Sequence, residues 1–490
     1  MNAAEQLHQQ GKTLQDTDQL EEARAAYQQS LSLSQQPALR TLANLISLEI
    51  EADQLEQGEH WFQRGLKQLD GFREVSEATI EGISLLLNSG LQLKLQRQQF
   101  NLALQLGKRL LQLQPTANAT TNLAVSLMWS GHAQAAVRAQ TMGLKLANPA
   151  QAKHLLWRDT GDADERQLVH IKLMNLATYW LALNPLSADG WCLLESRLAT
   201  RRINNEADGS APWVGLWDGS PTTHLVIWDE QGYGDCLQCL RWINHASQRC
   251  QHVRLMLRPS LIRLVRERLS LPPHCDVQTL EGQTMPWQLG VAHIPLMALP
   301  RRLYSGDLPP PSGKPFIARR APQRAKAKHL RIGLTWAAGT KENAAARRAA
   351  RLRSMPVELL NDWLDHHPLR KQLEIVNLQH PDHPEHCGTI NQAALQRDGD
   401  WCATAEVLDQ LDGVISVDTA MVHLGGAMGL PTLILLNHAC DWRWSQHGQT
   451  TFWYESCTLA RCRALNDWRS ALEQADHWLQ ALLQSCASYW

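Results

Sequence analysis

At 490 residues the chain is too long for one hydrophobic core, so two or three domains are expected. Its 47 Lys and Arg stand against 48 Asp and Glu, a balance that gives no support to a nucleic-acid partner or a general acidic surface. Eleven scattered cysteines argue for a reducing compartment rather than a disulfide framework, and the absence of a signal-like N-terminus or a membrane-length apolar run predicts a cytoplasmic protein with no transmembrane segment.

Residues 1 to about 160 read as helices. Residues 20–31 align on residues 55–66 at an offset of 35, which places Tyr27 over Phe62 and Leu31 over Leu66. A second register, of 34, puts Leu110 over Leu144 and Pro115 over Pro149. Such spacing predicts stacked helix pairs whose faces are buried only by their neighbours. Over residues 11–37, 46–70 and 98–149 the pattern resembles tetratricopeptide repeats. Gly131 and Ala135 stand near the small positions where paired helices approach, and residues 71–97 read as a degenerate repeat. The resemblance implies an all-α superhelix with a concave surface for a protein partner; a generic helical bundle is the plainer alternative. Helical pattern continues to residue 205, interrupted at Pro185 and Gly190, and then gives way to Asn204-Asn205-Glu206-Ala207-Asp208-Gly209-Ser210-Ala211-Pro212. This turn-forming run predicts a repeat domain over 1–205 and a linker over 206–222.

Beyond Pro221 the period changes. Short apolar runs at 225–228, 253–257, 332–336, 373–378, 414–417 and 432–436 alternate with amphipathic segments, the pattern of parallel sheets covered by helices. Pro-rich and basic sequence from Leu308 to Lys328 divides the region, predicting lobes over 223–325 and 326–463 and a final helix over 464–490 that carries Trp468, Leu472, Ala475 and Leu479 on one face.

In the first lobe, Val226-Ile227-Trp228 runs into Asp229-Glu230-Gln231-Gly232-Tyr233-Gly234-Asp235. Gly232 and Gly234 permit a tight loop and close approach by a ligand. No third glycine follows at the dinucleotide-fingerprint spacing. Asp235 is either a helix-capping residue or a general base for an acceptor hydroxyl, with Glu230 in reserve as base or loop organiser. In the second lobe, Ile415-Ser416-Val417 meets Asp418-Thr419-Ala420-Met421-Val422-His423, an apolar strand followed by a small-residue helix start. Free N–H groups and the positive helix end there suit an anionic group such as a diphosphate. His423 shares a face with Thr419 and is read as a protonated imidazole near the leaving phosphate, or else as a buried partner of a carbonyl. Lys341 and Arg353 are the candidate diphosphate cations after Trp336-Ala337-Ala338-Gly339, or part of a solvated loop. Trp442 and Trp444 either wall the cleft or pack the lobes, with Arg443 near the phosphates.

Three motifs carry a second resemblance: Trp228-Asp229-Glu230-Gln231-Gly232-Tyr233-Gly234-Asp235, Arg331-Ile332-Gly333-Leu334-Thr335-Trp336-Ala337-Ala338-Gly339, and the segment from Asp412 to Pro431, joined by Asp441-Trp442-Arg443-Trp444. In this order they resemble the glycosyltransferase region found behind tetratricopeptide repeats, similar to the lipopolysaccharide heptosyltransferases of glycosyltransferase family nine. The resemblance implies a GT-B architecture of two Rossmann-like lobes, a terminal helix that crosses back to the first lobe, and metal-independent, inverting transfer from a nucleotide-sugar without a cofactor. It places the proposed base on Asp235 and the phosphate-binding helix start on Asp418, Thr419 and Ala420, with His423 one turn on. The acceptor is a glycan, a lipid-linked sugar or a protein. The competing reading is a repeat scaffold whose transferase-like lobes are silent. Cys236 with Cys239, and the group His380, His383, His386 and Cys387, are the cysteine and histidine clusters, and neither is assigned a metal.

Overall fold

Each helix pair of the N-terminal unit turns on one left-handed residue. Among the described residues of the computed structural model (2–34, 38–69, 76–147, 163–199, 212–322, 329–339, 343–381, 383, 395 and 399–487) the first eight helices are α1 (Ala3–Asp16), α2 (Leu20–Leu33), α3 (Leu39–Glu51), α4 (Leu55–Leu69), α5 (Glu77–Gln96), α6 (Phe100–Leu113), α7 (Ala117–Trp129) and α8 (Ala133–Ala147). They pack as consecutive pairs, α1 with α2 through α7 with α8. Asp18 (φ 61°), Asp53 (57°), Gln98 (59°) and Gly131 (81°) stand two positions before the second helix of each pair and reverse the chain there. Gly131 is therefore a turn residue and not the packing position expected of it; a Cβ there would meet nothing within 4 Å. Ala133 and Ala136 take the buried places, and Ala135 is only half-buried.

The aligned residues Tyr27 and Phe62 are both buried in one apolar cluster with Leu31, Leu42, Leu45 and Leu86. The degenerate repeat expected over residues 71–97 corresponds instead, within the described residues, to α5, a 20-residue helix that opens the third pair. Its length explains the slipped register, since the turn residues lie 45 positions apart from Asp53 to Gln98 but 35 and 33 elsewhere. A groove of about 670 Å³ at the start of this unit is lined by residues that include Glu5, His8, Leu33, Arg40 and Thr41. Residues 343–349 group with this unit rather than with the sheet region that the sequence assigned them to. There Arg347 Nη2 donates to the carbonyls of Ile50 (3.1 Å) and Glu51 (2.8 Å), the open C-terminal end of α3.

The second unit comprises residues 161–339 and 350–490. It includes the helices Ala163–Leu183 and Ala188–Leu194 and the short turn Glu195–Ala199, which a boundary after residue 205 assigned to the repeats. Buried charge explains the difference. Arg197 Nε donates to Glu230 Oε1 at 2.7 Å with both side chains almost fully buried, and Arg302 pairs with Glu195 at 2.6 Å. Removing one partner of such a pair leaves a buried, uncompensated charge, so these helices and the first sheet form one packed body. Trp191 adds edge-on indole contacts with Trp242 and Trp442.

Two wholly parallel sheets follow. The first has the order β3-β2-β1-β4, from β1 (Thr222–Trp228), β2 (Cys250–Leu257), β3 (Cys275–Thr279) and β4 (His293–Pro295). The second has the order β6-β5-β7-β8-β9, from β5 (Leu330–Thr335), β6 (Leu373–Asn377), β7 (Gly413–Val417), β8 (Thr432–Leu436) and β9 (Cys457–Arg461). The strand order reverses between β1 and β4 and again between β5 and β7. Ligands in open α/β sheets bind outside the strand C-termini at such reversals, which singles out the loops after β1, β5 and β7. The final helix, Trp468–Ala487, buries Trp468, Leu472, Ala475 and Leu479 as its period requires. That face lies on the core of the second sheet beside β8 and β9, where a crossing back to the first sheet was expected.

Candidate active site

The loop after β1 is shaped by charged side chains. Asp229 accepts from the Arg258 backbone N–H (3.0 Å) and from Arg258 Nε (2.8 Å), while the same guanidinium donates to the Gln231 carbonyl (3.1 Å) and lies 4.3 Å over the Tyr233 ring. The left-handed residue of this loop is Gln231 (φ 64°), whereas Gly232 has an ordinary extended conformation (φ −78°, ψ 160°). Gly232 is therefore not the flexible point its type suggests. Glu230 gives Oε1 to Arg197 and Oε2 to Gln231 Nε2 (2.9 Å). Of the roles expected for Glu230, this geometry matches loop organiser, for its side chain is only 3% exposed and is ion-paired to Arg197.

Asp235 occupies the first turn of helix Tyr233–Cys239 and reaches back to accept from the Gly232 N–H at 2.9 Å. Its other oxygen accepts from Arg443 Nη2. The side chain is 24% exposed, against 32% for Asp441, the other carboxylate on Arg443. Gly234, one residue earlier, is required by close approach. A Cβ at this position would lie 2.8 Å from His423 Cδ2 and 3.5 Å from Ala420 Cα, so the first turns of the two strand-end helices touch here.

After β7 the chain enters helix Ala420–Ala427, whose residues from Met421 onward are all buried. Packing holds this helix, since Gly425 and Gly426 are poor helix formers. It ends at left-handed Gly429 (φ 72°), where Gly429 N–H and Leu430 N–H donate to the carbonyls of Gly426 (3.1 Å) and Gly425 (3.0 Å). Thr419 is the N-cap: its hydroxyl accepts from the Met421 N–H (3.3 Å) and bonds Ser416 Oγ (3.1 Å). Asp418 is buried, which raises its carboxyl to about 6; Arg353 opposes the shift and Asp441 adds to it.

His423 is the clearest correction. Its ring stacks on Trp444 (5.3 Å between centroids), Nδ1 lies 2.9 Å from the Tyr454 hydroxyl, and Gly234 closes a third side. Burial, followed by the nearby cations Arg443, Arg241 and Arg353, holds the imidazole well below its usual range. Both effects favour the neutral ring over the expected imidazolium.

Arg443 also differs from expectation. Nε donates to Gln238 Oε1 (2.8 Å), Nη1 to Asp441 Oδ1 (2.8 Å) and Nη2 to Asp235, while the guanidinium stacks 4.3 Å over Trp442. Each of its three nitrogens makes one bond to a protein group, so it ties the helix after β1 to the loop after β8 and holds Asp235. Trp442 and Trp444 are buried packing residues. Arg353 Nη1 donates to the Asp418 carbonyl at 3.3 Å, and Lys341 lies outside the described residues. In the loop after β5, Gln379 Oε1 accepts from Trp336 N–H and Ala337 N–H (3.3 and 3.1 Å), and Ser354 Oγ from Ala338 N–H (3.0 Å).

The structure thus joins Gly234, Asp235, Ala420, His423 and Arg443 directly, with Asp418, Thr419 and Arg353 beside them. Tyr454, Asp441 and Gln238 belong to the same cluster and were missed. No local motif marks Tyr454 or Gln238; Asp441 opens the Asp-Trp-Arg-Trp string and was passed over for its neighbours. Cys236 and Cys239 are buried, with burial pushing Cys239 up to about 12, as suits packed thiols. Of the histidine cluster, His386 and Cys387 lie outside the described residues.

No family model matches the chain, and no curated protein matches it. Among solved structures it is similar to a glycosyl transferase of family 9 from Veillonella parvula (9% identity, 55% of this chain and 99% of that one, TM-score 0.38). It is similar also to E. coli ADP-heptose lps heptosyltransferase II (9%, 54% and 99%, 0.38) and to an O-GlcNAc transferase mutant from Thermobaculum terrenum (13%, 92% and 94%, 0.25). At these scores the likeness assigns no residue a role. No helix among the described residues is long and apolar enough to cross a membrane.

Proposed function

We propose that the second unit is a GT-B-type glycosyltransferase that moves a sugar from a nucleotide-sugar to a glycan, lipid-linked or protein acceptor, with inversion and without a metal. The observation that carries this reading is the meeting of the loops after β1 and β7, which sets the partly open Asp235 carboxylate beside a buried helix start across two parallel sheets. Asp235 takes the proton of the acceptor hydroxyl as its oxygen bonds to the anomeric carbon. The bond from that carbon to the diphosphate breaks, and the departing charge falls toward Thr419, Ala420 and Arg353. The groove on the helical pairs supplies an acceptor or partner surface.

A second reading, a repeat scaffold with silent lobes, draws on the engagement of both Asp235 oxygens, by Gly232 and Arg443. Saturation-transfer NMR of the full chain against UDP-, GDP-, ADP- and CMP-sugars separates the two. Selective binding, with release of the free nucleotide (UDP, GDP, ADP or CMP) that Asp235→Asn abolishes, supports the enzyme. Silence of the folded protein across the panel favours the scaffold.

A further inference from the structure

Tyr454 and His423 form a buried pair that the sequence motifs do not mark. A neutral imidazole carries one N–H and one lone pair, so the partner of Nδ1 decides which nitrogen keeps the proton. At Nδ1 the partner is the Tyr454 hydroxyl, 2.9 Å away. The phenol is buried, and an O–H turned away from His423 would lose this acceptor. Arg241 lies 4.8 Å over the Tyr454 ring and also interacts with its hydroxyl, a cation that engages the oxygen's lone pairs and leaves the hydrogen for His423. The pair depends on two close approaches. A Cβ on Gly426 would lie 2.5 Å from the Tyr454 ring, and one on Gly234 would lie 3.3 Å from His423 Nε2.

We propose that Tyr454 is a positioning residue: its hydroxyl donates to His423 Nδ1 and fixes the proton on Nε2, which faces the glycine loop of the first sheet as a neutral hydrogen-bond donor. That donor suits an anionic oxygen of a nucleoside diphosphate, an assignment that rests on the transferase reading above; the tautomer does not rest on it. Unlike an imidazolium, such a group stabilises departing charge without changing its own protonation.

The test is long-range proton–nitrogen correlation on full-length protein labelled in the histidine rings, with His423 assigned through its contact with the Tyr454 ring. A protonated Nε2 and a bare Nδ1 in the wild type support the proposal, and a protonated Nδ1 overturns it. Tyr454→Phe should move the signals toward a mixture of tautomers, and an unchanged spectrum also overturns it. Should that variant not fold, the wild-type spectrum still decides the tautomer. Adding UDP, GDP, ADP and CMP in turn tests the ligand: a shift of the Nε2 proton with UDP, GDP or ADP supports the diphosphate assignment, and a shift with CMP alone overturns it. No shift with any nucleotide, in a protein of the stated tautomer, overturns the ligand assignment while leaving Tyr454 as the positioning residue. In nucleotide-sugar hydrolysis, Tyr454→Phe should lower kcat about tenfold with little change in KM, the split expected of a contact made in the transition state.

Discussion

The loops after β1 and β7 have the same strand–turn–helix form and opposite environments. In the first, cationic side chains bind the loop from behind, Arg258 at Asp229 and Arg197 at Glu230, and leave Asp235 partly open. In the second, an apolar strand and a glycine-bearing helix seal Asp418 and His423 from water. Burial acts on these two groups in opposite chemical directions, keeping the carboxyl protonated to higher pH and the imidazole deprotonated to lower pH. One geometry therefore yields an open carboxylate on one side of the seam and buried groups biased toward neutrality on the other.

The largest test of this contrast is Asp235→Asn. It keeps the shape of the side chain but removes its basicity, and turnover of any donor that binds should fall about a thousandfold, with donor affinity and folding retained. Equal turnover in wild type and variant would remove the base from the open side.

Gly234→Ala probes the seam itself. The added methyl runs into His423 Cδ2 at 2.8 Å, in a ring already fixed by Trp444 and Tyr454, and should cost about 1–3 kcal/mol in denaturant unfolding. Gly232→Ala is the control within the same loop. Its Cβ meets only the tip of Asp235, and its backbone is not left-handed, so a loss below about 1 kcal/mol is expected. Equal losses would mean that the two helix starts do not touch.

A smaller effect than that at Gly234 belongs to Asp418→Asn and is read through pH. Asp418 has a folded value of about 6 against an ordinary 3.8, so the folded state binds the extra proton between these values and the group's contribution to stability falls as pH rises through that window. Replacing it should stabilise the protein by about 1–2 kcal/mol near pH 7.5, after allowance for the lost attraction to Arg353, and the gain should shrink toward pH 4. His423 runs the other way, because below pH 6.5 the unfolded chain takes the proton that the buried ring refuses. Urea unfolding of the Asp418 variant and the wild type at both ends of this range separates the two contributions.

Much of the scaffold was legible because its signals are local. The apolar runs at 332–336, 414–417 and 432–436 are short, buried strands, and the period of Trp468, Leu472, Ala475 and Leu479 marks a helix face. The strands β3, β4 and β9 were not seen, since Cys275–Thr279 mixes Asp and Gln into its run and His293–Pro295 has only three residues. At the site, Asp235, Thr419 and His423 were found by their place after strands. Their states were not, because the lowered pKa of His423 comes from burial, to which Tyr454, Trp444 and Gly234 contribute, and then from Arg443, Arg241 and Arg353, residues mostly distant in sequence that no spacing rule connects. The grouping of residues 163–199 with the sheets was not legible for a similar reason: turn-forming composition marks a loop, whereas the ion pair of Arg197 with Glu230 marks which body a segment packs with.

That ion pair also bears on how such a chain can be assembled from interchangeable parts. A crossover in the turn-forming stretch between residues 199 and 212 would deliver the sheets to a new host without Arg197, and Glu230 would enter the folded interior with no counter-charge beside the loop that carries Asp235. A crossover between residues 147 and 163 would carry the arginine with its acid. The unit of inheritance for the sheet region is thus longer than the sheets themselves, and its outermost helices travel with it as counter-ions.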